Sequence, residues 1–441
     1  MKTKLTTKET IVLAITLFGL FFGAGNLIFP VHLGQLAGNN VFKATLGFIV
    51  TGVTIPILAV ASIGMTHSNG LKRMCEKKVG KGFAYFFTCL LYLTIGPFFA
   101  IPRCCTTTFS SGVYPLLTNI NERVCLLVFS FIFFALVLYF SLKPNEIMKW
   151  VGKTITPIFL LFFTILIVTA LTKSNISVHS VVPDQTYVNN SFVNGLLEGY
   201  NTMDAIAGLA FGVIIVNCIK DLGIDDGKLV AKEIIKAGVL TAVLMSIIYL
   251  ASTLMGVKSR AIFEISENGG IALAQISEYF LGKVGLVILA LTIGLACLKT
   301  AIGLVTSCAE AFVDMFENKL SYKKWAIIFS VFSFVISNFG LTTIINYSIP
   351  VLMFLYPIAI VLILVGIFSY RTDNKIVFRC TLVGTIFAAI FDFIKTLPFN
   401  IDVSFVSKIL PLFDLGFSWI IPSAVGLIVG LLLSKKLLKF K

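Results

Sequence analysis

The first long apolar run of the chain, residues 10–36, contains the sequence Phe18-Gly-Leu-Phe-Phe-Gly-Ala-Gly-Asn-Leu-Ile-Phe-Pro30. Its inner glycines, Gly23 and Gly25, and its final proline each disfavour a continuous helix. Asn26 adds a polar amide to an otherwise apolar stretch. If the run crosses a membrane, the backbone groups freed here need a cavity or a ligand, because hydrocarbon cannot satisfy them. Close helix packing through the same glycines is the competing explanation.

The rest of the chain consists of similar apolar runs. Its 441 residues are 57% hydrophobic and 13% charged, with a mean hydropathy of +0.97, whereas a soluble domain carries roughly 25% charged residues. The runs show no polar face, and a membrane-spanning helix needs about 20 such residues. A soluble globular protein is therefore excluded. The sequence predicts twelve crossings, at residues 10–36, 41–65, 82–112, 124–141, 150–172, 195–219, 231–256, 282–313, 324–340, 344–369, 377–396 and 412–434.

The basic residues predict how the chain is oriented. There are 35 lysines and arginines against 21 acidic residues, and in membrane proteins lysine and arginine concentrate on the cytoplasmic side. With twelve crossings, 25 of the basic residues fall on the side that holds both chain ends, and 8 fall on the opposite side. This distribution predicts cytoplasmic termini. It also explains the net charge of +14 by contact with membrane lipid rather than with nucleic acid.

A second interrupted run lies in the sixth predicted crossing. It contains the sequence Glu198-Gly-Tyr-Asn-Thr-Met-Asp-Ala-Ile-Ala-Gly208, in which polar residues and a glycine pair break an apolar stretch. The sixth crossing opens a second group of five, as the first crossing opens the first group. Paired interruptions at matching positions predict a secondary transporter with inverted repeats and a substrate site at the membrane midplane.

Two other classes of membrane protein fit the sequence less well. The chain has no paired carboxylates, histidine cluster or serine elbow, and this argues against an integral membrane enzyme. A channel is disfavoured because paired broken helices suit alternating access rather than a permanent pore.

Three motifs follow one another along the chain: Phe21-Phe-Gly-Ala-Gly-Asn-Leu-Ile-Phe-Pro30, Ile95-Gly-Pro-Phe-Phe-Ala-Ile-Pro-Arg103 and Gly199-Tyr-Asn-Thr-Met-Asp-Ala205. The chain resembles in these motifs the branched-chain amino acid carrier family, the bacterial cation symporters for leucine, isoleucine and valine. The resemblance implies secondary active uptake across the cell membrane, with Na⁺ or H⁺ as coupling ion and no other cofactor. The competing interpretation is an amino acid or amine permease of the same fold with a different substrate.

The resemblance also implies the architecture. The expected fold is all-α and integral to the membrane, with twelve transmembrane helices. Ten of them form a 5+5 inverted repeat with two discontinuous helices, and two additional helices follow at the C-terminal end. The corresponding segments are a first repeat at 1–172, an extracellular loop at 173–194, a second repeat at 195–370, and the additional helices with a cytoplasmic tail at 371–441.

The chemistry of a branched-chain amino acid agrees with the two interrupted runs. The half-helix that begins near Asn26 offers free N–H groups and a positive dipole end to the carboxylate. Unwound carbonyls near Gly23 and near 201–204 offer acceptors to the ammonium, and an apolar pocket disfavours polar substrates. The predicted substrate-binding residues are Gly23, Ala24, Gly25, Asn26, Tyr200, Asn201, Thr202 and Asp204.

Asp204 has more than one interpretation. It is the one carboxylate well inside the sixth crossing, and an acid at such a position is a functional candidate. It binds the substrate ammonium or the coupling cation, it forms a structural ion pair with Arg103 of the third crossing, or it lies exposed in a vestibule. Arg103 itself faces the protein interior or snorkels to the outer end of its helix.

The eighth crossing departs from the sodium-coupled relatives of this fold. In those relatives the segment corresponding to Ala296-Cys-Leu-Lys-Thr300 supplies a carbonyl and two hydroxyls to Na⁺, and here Lys299 replaces one hydroxyl. The first-helix ligands of such a site are the carbonyls of Gly19 and Phe22. A lysine ammonium in this place substitutes for the cation and favours proton coupling. If the helix is rotated, Thr300 still serves Na⁺, so both coupling ions stay open.

Overall fold

The computed structural model describes residues 2–66, 70–117, 121–142, 156–174, 176–317, 319–368, 375–399 and 401–438. Within these ranges the chain is helical and has no strand. The first nine α-helices are α1 Thr7–Phe21, α2 Ala24–Ala37, α3 Val41–Ile49, α4 Ile55–Met65, α5 Leu71–Lys78, α6 Lys81–Leu93, α7 Ala100–Thr108, α8 Glu122–Ser141 and α9 Thr156–Lys173. The others are α10 Gln185–Asn189, α11 Ser191–Tyr200, α12 Asp204–Asp221, α13 Gly227–Ser259, α14 Gly269–Met315, α15 Tyr322–Ser337, α16 Leu341–Phe368, α17 Lys375–Lys395 and α18 Ile420–Leu438.

Several of these helices suit a membrane. In the described part of the chain, seven helical stretches are long and apolar enough to cross one, and the pair α11 and α12, bent by 43°, makes an eighth if it counts as one span. Their outer faces carry large exposed apolar side chains, for example Phe131 on α8 and Val284 and Leu291 on α14. Such faces suit contact with lipid tails, because no water has to be displaced from them in the bilayer. The chain is therefore a multi-pass membrane protein.

Within the described residues, each predicted run contains some α-helix, but the number of crossings stays a prediction and several boundaries differ. The run predicted to begin at 412 contains a 3₁₀ turn, Phe413–Leu415, and its helix α18 begins only at Ile420. Leu412 and Gly416 have positive φ values, which stop a helix from starting earlier. The half-helix α11 begins at Ser191, inside the segment predicted as a loop. The first six residues of the predicted run 150–172 lie outside the described residues.

Two glycines allow α3 and α11 to approach each other at backbone distance. A Cβ atom on Gly195 would collide with the Ala44 carbonyl oxygen, and one on Gly47 would collide with the Phe192 carbonyl oxygen. The contact is therefore reciprocal, with one glycine contributed by each helix. Glycine at these positions brings backbone against backbone, as in other closely packed membrane helices. The half-helix α11 is thereby held against α3.

Candidate functional site

The first helix break separates α1 from α2 and frees the start of α2. Phe22 and Gly23 adopt extended conformations, so α1 ends with the hydrogen bond from the Phe22 N–H to the Phe18 carbonyl, and α2 begins at Ala24. The Gly23 N–H donates to Asn26 Oδ1 at 2.9 Å, which caps the new helix with a side chain from its own first turn. The other N–H groups of that turn have no intrahelical partner and form the positive end of the α2 dipole.

The second break separates α11 from α12. The first helix ends at Tyr200, Met203 adopts a left-handed conformation with φ 65°, and the second helix begins at Asp204. A left-handed conformation is uncommon for a residue with a side chain, so the surrounding packing has to hold it. Between the two helices, the carbonyls of Asn201 and Thr202 accept no backbone hydrogen bond from the described residues.

The two breaks lie side by side. A Cβ atom on Gly25 would be 3.3 Å from Thr202 Cα, so the start of α2 faces the turn before α12. The Asn26 amide crosses the gap, with Nδ2 2.5 Å from Asp204 Oδ2 and 2.5 Å from the Tyr249 hydroxyl. The structure confirms both predicted interruptions and brings four of the predicted substrate-site residues together.

The sequence analysis missed Tyr249. It lies on α13, is fully buried, and packs edge-on against Phe48 with ring centroids 5.0 Å apart. The available signal was a tyrosine inside an apolar run, since a buried tyrosine hydroxyl usually has a hydrogen-bond partner. That signal does not identify the partner, because Asn26 lies more than 200 residues away along the chain.

Arg103 closes one side of the gap between the breaks. It lies on α7, just after a kink at Gly96, and its side chain is 3% exposed, so it faces the protein interior and does not snorkel. Nη1 donates to the Asn201 carbonyl at 2.6 Å, and Nη2 lies 3.4 Å from the Thr202 carbonyl oxygen. The guanidinium also lies over the Phe29 ring, 5.1 Å from its centroid. Arg103 thus binds the C-terminal, negative end of α11.

These contacts change the interpretation of Arg103. Among the ion pairs of the described residues, none joins Arg103 to Asp204. Two of the carbonyls predicted as acceptors for the substrate ammonium, those of Asn201 and Thr202, already accept from Arg103, whereas the prediction also included carbonyls near Gly23. A Cβ atom on Gly25 would be 3.0 Å from Nη2, so the guanidinium also borders the start of α2. Arg103 therefore adds positive charge at the place where the α2 N–H groups converge.

Other predicted substrate-site residues have local partners. The Asn201 side chain donates to Glu198 Oε2 at 3.0 Å, and the Thr202 hydroxyl donates to the Gly199 carbonyl at 2.9 Å. The Tyr200 ring is buried and stacks on Tyr356 of α16, with centroids 4.1 Å apart. Tyr356 is a second residue that the sequence analysis missed. Ala24 is buried at the first turn of α2.

The predicted coupling residues of the first and eighth crossings meet in the structure. A Cβ atom on Gly19 would be 3.6 Å from Lys299 Nζ, and one on Gly23 would be 3.6 Å from Thr300 Cγ2. The Thr300 hydroxyl donates to the Ala296 carbonyl at 3.1 Å within α14. Within the described part of the chain, the half-buried Lys299 ammonium has no hydrogen bond or ion pair. The ring of Phe22 stacks on Phe18, 4.8 Å between centroids.

A transition-metal site is not part of this arrangement. The described ranges contain no group of three or more histidine, cysteine and acidic side chains that could hold a metal ion.

Comparisons with known proteins identify the family of the chain. The profile of a family described as "Branched-chain amino acid transport protein" matches residues 6–437. A relative from Lactobacillus delbrueckii subsp. lactis, "Branched-chain amino acid permease BrnQ", is 48% identical over 431 residues, covering 96% of each chain. The BrnQ permease of Bacillus subtilis is 40% identical and covers 98% of each chain. The "Branched-chain amino acid transport system 2 carrier protein" of Pseudomonas aeruginosa is 35% identical and covers 97% of each chain.

Solved structures show the fold. The inward-facing conformation of Mhp1 matches with a TM-score of 0.66 at 12% identity, covering 97% of this chain and 91% of that one. A closed conformation of Mhp1, described as a nucleobase-cation-symport-1 family transporter, matches with a TM-score of 0.65 at 13% identity, covering 98% of this chain and 93% of that one. At these identities the likeness concerns the fold alone.

The relatives and the site agree on the class of protein. Two broken helices that meet around a buried amide and carboxylate are what a carrier needs, and the named relatives are permeases and carriers rather than enzymes. The family profile covers almost the whole chain. The chain therefore belongs to the branched-chain amino acid transport protein family.

Proposed function

We propose that this protein takes up leucine, isoleucine and valine by symport with a cation and alternating access. The observation that carries the proposal is the contact between the two helix breaks, where Asn26 joins Asp204 beside the free N–H groups of α2. Broken helices that meet are the usual substrate site of carriers with inverted repeats. The family name and the names of the relatives support the substrate class.

The finer architecture belongs to the same proposal. We assign twelve crossings, a 5+5 inverted repeat formed by 1–172 and 195–370, and two additional helices in 371–441, with 173–194 outside. Both breaks fall in the first helix of a repeat, as an inverted repeat requires. The basic residues support cytoplasmic termini in a bacterial plasma membrane.

The substrate carboxylate binds at the start of α2 in this proposal. The N–H groups of the first turn of α2 point out of the helix, and Arg103 Nη2 borders Gly25. Because Arg103 already occupies the Asn201 and Thr202 carbonyls, the substrate ammonium binds the Asp204 carboxylate. An unpaired carboxylate buried in a membrane protein is costly, and a bound ammonium offsets that cost.

The coupling ion in this proposal is the proton. The Lys299 ammonium lies beside Gly19, where the sodium-coupled relatives of the fold are expected to hold Na⁺ between the first and eighth helices. Lys299, which lies on α14 beside Gly19 of α1, carries the coupled proton in this proposal. Sodium coupling through Thr300 and the α1 carbonyls is the second candidate.

The test is uptake of labelled leucine into proteoliposomes, with Na⁺ and proton gradients imposed separately. We expect accumulation with an inward proton gradient alone, and competition by isoleucine and valine but not by polar amino acids. Accumulation driven by Na⁺ without a response to pH would overturn proton coupling. Uptake of another amino acid or amine in place of leucine would overturn the substrate assignment.

A matched pair of variants tests the role of Asp204. Asp204→Asn should abolish most leucine accumulation, whereas Asp414→Asn should not, because the Asp414 side chain is 80% exposed outside the site. Both variants remove one negative charge, so a difference between them reflects position. Equal uptake by the two variants would remove Asp204 from the substrate site.

A further inference from the structure

Exposed basic side chains gather where α5 and the start of α6 meet the start of α17. We define the α5–α17 patch as Arg73, Lys77, Lys81, Lys375 and Arg379, all of them exposed. Its two parts are in contact, because Arg379 Nε donates to the Val79 carbonyl at 2.7 Å and a Cβ atom on Gly80 would be 3.8 Å from Arg379 Nη2. The transport mechanism described above does not use this patch.

The short helix α5 lies between two helical stretches that are long and apolar enough to span a membrane. One of its faces is buried against the end of α16, where a Cβ atom on Gly366 would be 3.0 Å from Met74 Cε. The buried Lys78 places its ammonium 5.5 Å from the centroid of the Phe378 ring on α17. The opposite face of α5 carries two exposed cations of the α5–α17 patch. The patch therefore lies at the level where the spanning helices leave the membrane.

The α5–α17 patch continues into an exposed apolar face of α17. Lys375 and Arg379 are followed at four-residue spacing by Val383 and Phe387, and residues four apart lie on the same face of a helix. The side chains of Val383 and Phe387 are 68% and 55% exposed, as lipid-facing residues are expected to be. Cations at the membrane surface, next to an apolar stripe within it, match a ligand with an anionic head and hydrocarbon chains.

The positive charge of the α5–α17 patch is not balanced by acids. Between residues 70 and 82, Glu76 is the one acidic residue against five basic ones. Among the described residues, no side chain of the patch forms an ion pair. By contrast, Lys2 pairs with Glu9 at 2.7 Å and Lys236 pairs with Glu233 at 2.5 Å. The patch therefore offers unmatched positive charge to an anionic partner.

We propose that the α5–α17 patch binds the phosphate headgroup of an anionic phospholipid, whose acyl chains lie along Val383 and Phe387. Clusters of four or more basic residues next to a spanning helix attract anionic lipid heads. The Arg379 guanidinium is fixed through Nε, and its terminal nitrogens are left to bind a phosphate by two parallel hydrogen bonds. The bound lipid links α5 to α17. This proposal requires the membrane-spanning helices and does not rest on the transport function proposed above.

The first experiment compares two triple variants that each remove three exposed positive charges. The patch variant combines Lys77→Gln, Lys81→Gln and Lys375→Gln. The control variant combines Lys319→Gln, Lys323→Gln and Lys324→Gln, whose lysines follow the acidic residues Asp314 and Glu317 in the sequence. Phosphatidylglycerol or phosphatidylcholine is added to each protein in detergent. Native mass spectrometry measures the bound lipid, and the thermal transition measures the stabilisation that the lipid provides.

We expect the native protein to bind phosphatidylglycerol in preference to phosphatidylcholine. Each basic residue near an anionic surface contributes about a factor of five, so the patch variant should bind phosphatidylglycerol on the order of a hundredfold more weakly. The control variant should stay within about threefold of the native affinity. Equal losses in the two triple variants, or equal binding of the two lipids by the native protein, would overturn the proposal. Each single substitution of the patch should weaken binding about fivefold, which keeps the comparison possible if the triple variant is unstable.

A single variant tests whether the Arg379 guanidinium itself holds the phosphate. Arg379→Lys keeps the positive charge and removes the planar pair of donors. We expect Arg379→Lys to bind phosphatidylglycerol at least about fivefold more weakly than the native protein, because one charge-assisted hydrogen bond is lost. Native affinity in Arg379→Lys would overturn the placement of the phosphate at Arg379.

A soluble phosphate distinguishes a lipid from a free anion as the partner. Glycerol 3-phosphate, added at the same concentration as phosphatidylglycerol, should not raise the thermal transition of the native protein, because it has no acyl chains to contact the apolar face of α17. An equal rise with glycerol 3-phosphate would overturn the lipid assignment in favour of a soluble anion. None of these measurements uses leucine, so a failure of the proposed transport function leaves them unaffected.

Discussion

Swapping the residues at positions 26 and 204, by Asn26→Asp and Asp204→Asn, separates the structural role of the contact between them from its role in binding the substrate. In the native protein the amide nitrogen of Asn26 lies 2.5 Å from a carboxylate oxygen of Asp204. Asn26→Asp alone puts two carboxylates at this distance, where two unit charges at an effective dielectric constant of about 20 repel by about 7 kcal/mol. One of the two therefore takes up a proton, which costs about 4 kcal/mol at neutral pH. A typical free energy of unfolding is about 5–15 kcal/mol. We expect Asn26→Asp to be recovered poorly as folded protein.

The reverse single change is milder. Asp204→Asn still offers an amide oxygen to Asn26, so a hydrogen bond to a charged group, worth about 1.5–3 kcal/mol, becomes a neutral one worth about 0.5–1.5 kcal/mol. The expected loss of stability is about 1 kcal/mol. Transport falls for another reason, because the substrate ammonium loses its carboxylate.

The double exchange, Asn26→Asp with Asp204→Asn, restores one amide facing one carboxylate. A carboxylate at position 26 can still accept the Gly23 N–H, so we expect folding to recover close to the native level. Leucine uptake should stay at least about tenfold below native, because the negative charge now lies at the start of α2 and repels the substrate carboxylate.

The assay combines two measurements on each variant. Monodisperse protein and its thermal transition in detergent report folding, and initial rates of leucine uptake in proteoliposomes report transport. Asn26→Asp as stable as the native protein would refute the charge argument. Full transport in the double exchange would refute the placement of the substrate carboxylate at α2.

Three further predictions concern other parts of the site and the fold. Lys299→Thr should make leucine uptake respond to a Na⁺ gradient. If uptake by Lys299→Thr is still driven by a proton gradient alone, Lys299 is not the proton-binding group. Arg103→Lys should lower leucine uptake at least about tenfold, because a lysine ammonium is a point charge and does not bridge two carbonyls as a guanidinium does. Each hydrogen bond to a charged group contributes about 1.5–3 kcal/mol. Leucine uptake at the native rate would contradict this prediction. Gly195→Ala should reduce the yield of folded protein, because the added Cβ collides with the Ala44 carbonyl. Gly303→Ala should leave the yield unchanged, since no atom lies within 4 Å of the position that its Cβ would take. Equal yields of the two variants would contradict the packing argument.

The helix breaks could be predicted from sequence because their causes are local. Gly23, Gly25 and Asn26 disfavour a helix wherever the chain places them, and the same holds for the polar residues of 199–208. The pairing of the two interruptions five crossings apart then indicates that they meet. Asn26 and Asp204 could therefore be assigned to one site before their contact was known.

The partners of these residues depend on tertiary packing, which one sequence does not encode locally. Tyr249 and Tyr356 lie in apolar runs, where a tyrosine indicates only that its hydroxyl needs some partner. The sequence did not decide whether Arg103 faces the protein interior or the outer end of its helix. The reason is that Arg103 donates to main-chain carbonyls, which have no signature in a sequence.

The reciprocal glycine contact between α3 and α11 has a mechanical consequence. The backbones of α3 and α11 are in direct contact, so neither helix can slide or rotate against the other without atomic overlap. We therefore expect α3 and α11 to move together as a rigid pair. The flexible point must then lie where α11 meets α12, at the left-handed Met203. A rotation of this pair would displace the Asn201 and Thr202 carbonyls, and through their hydrogen bonds to Arg103 it would also displace α7.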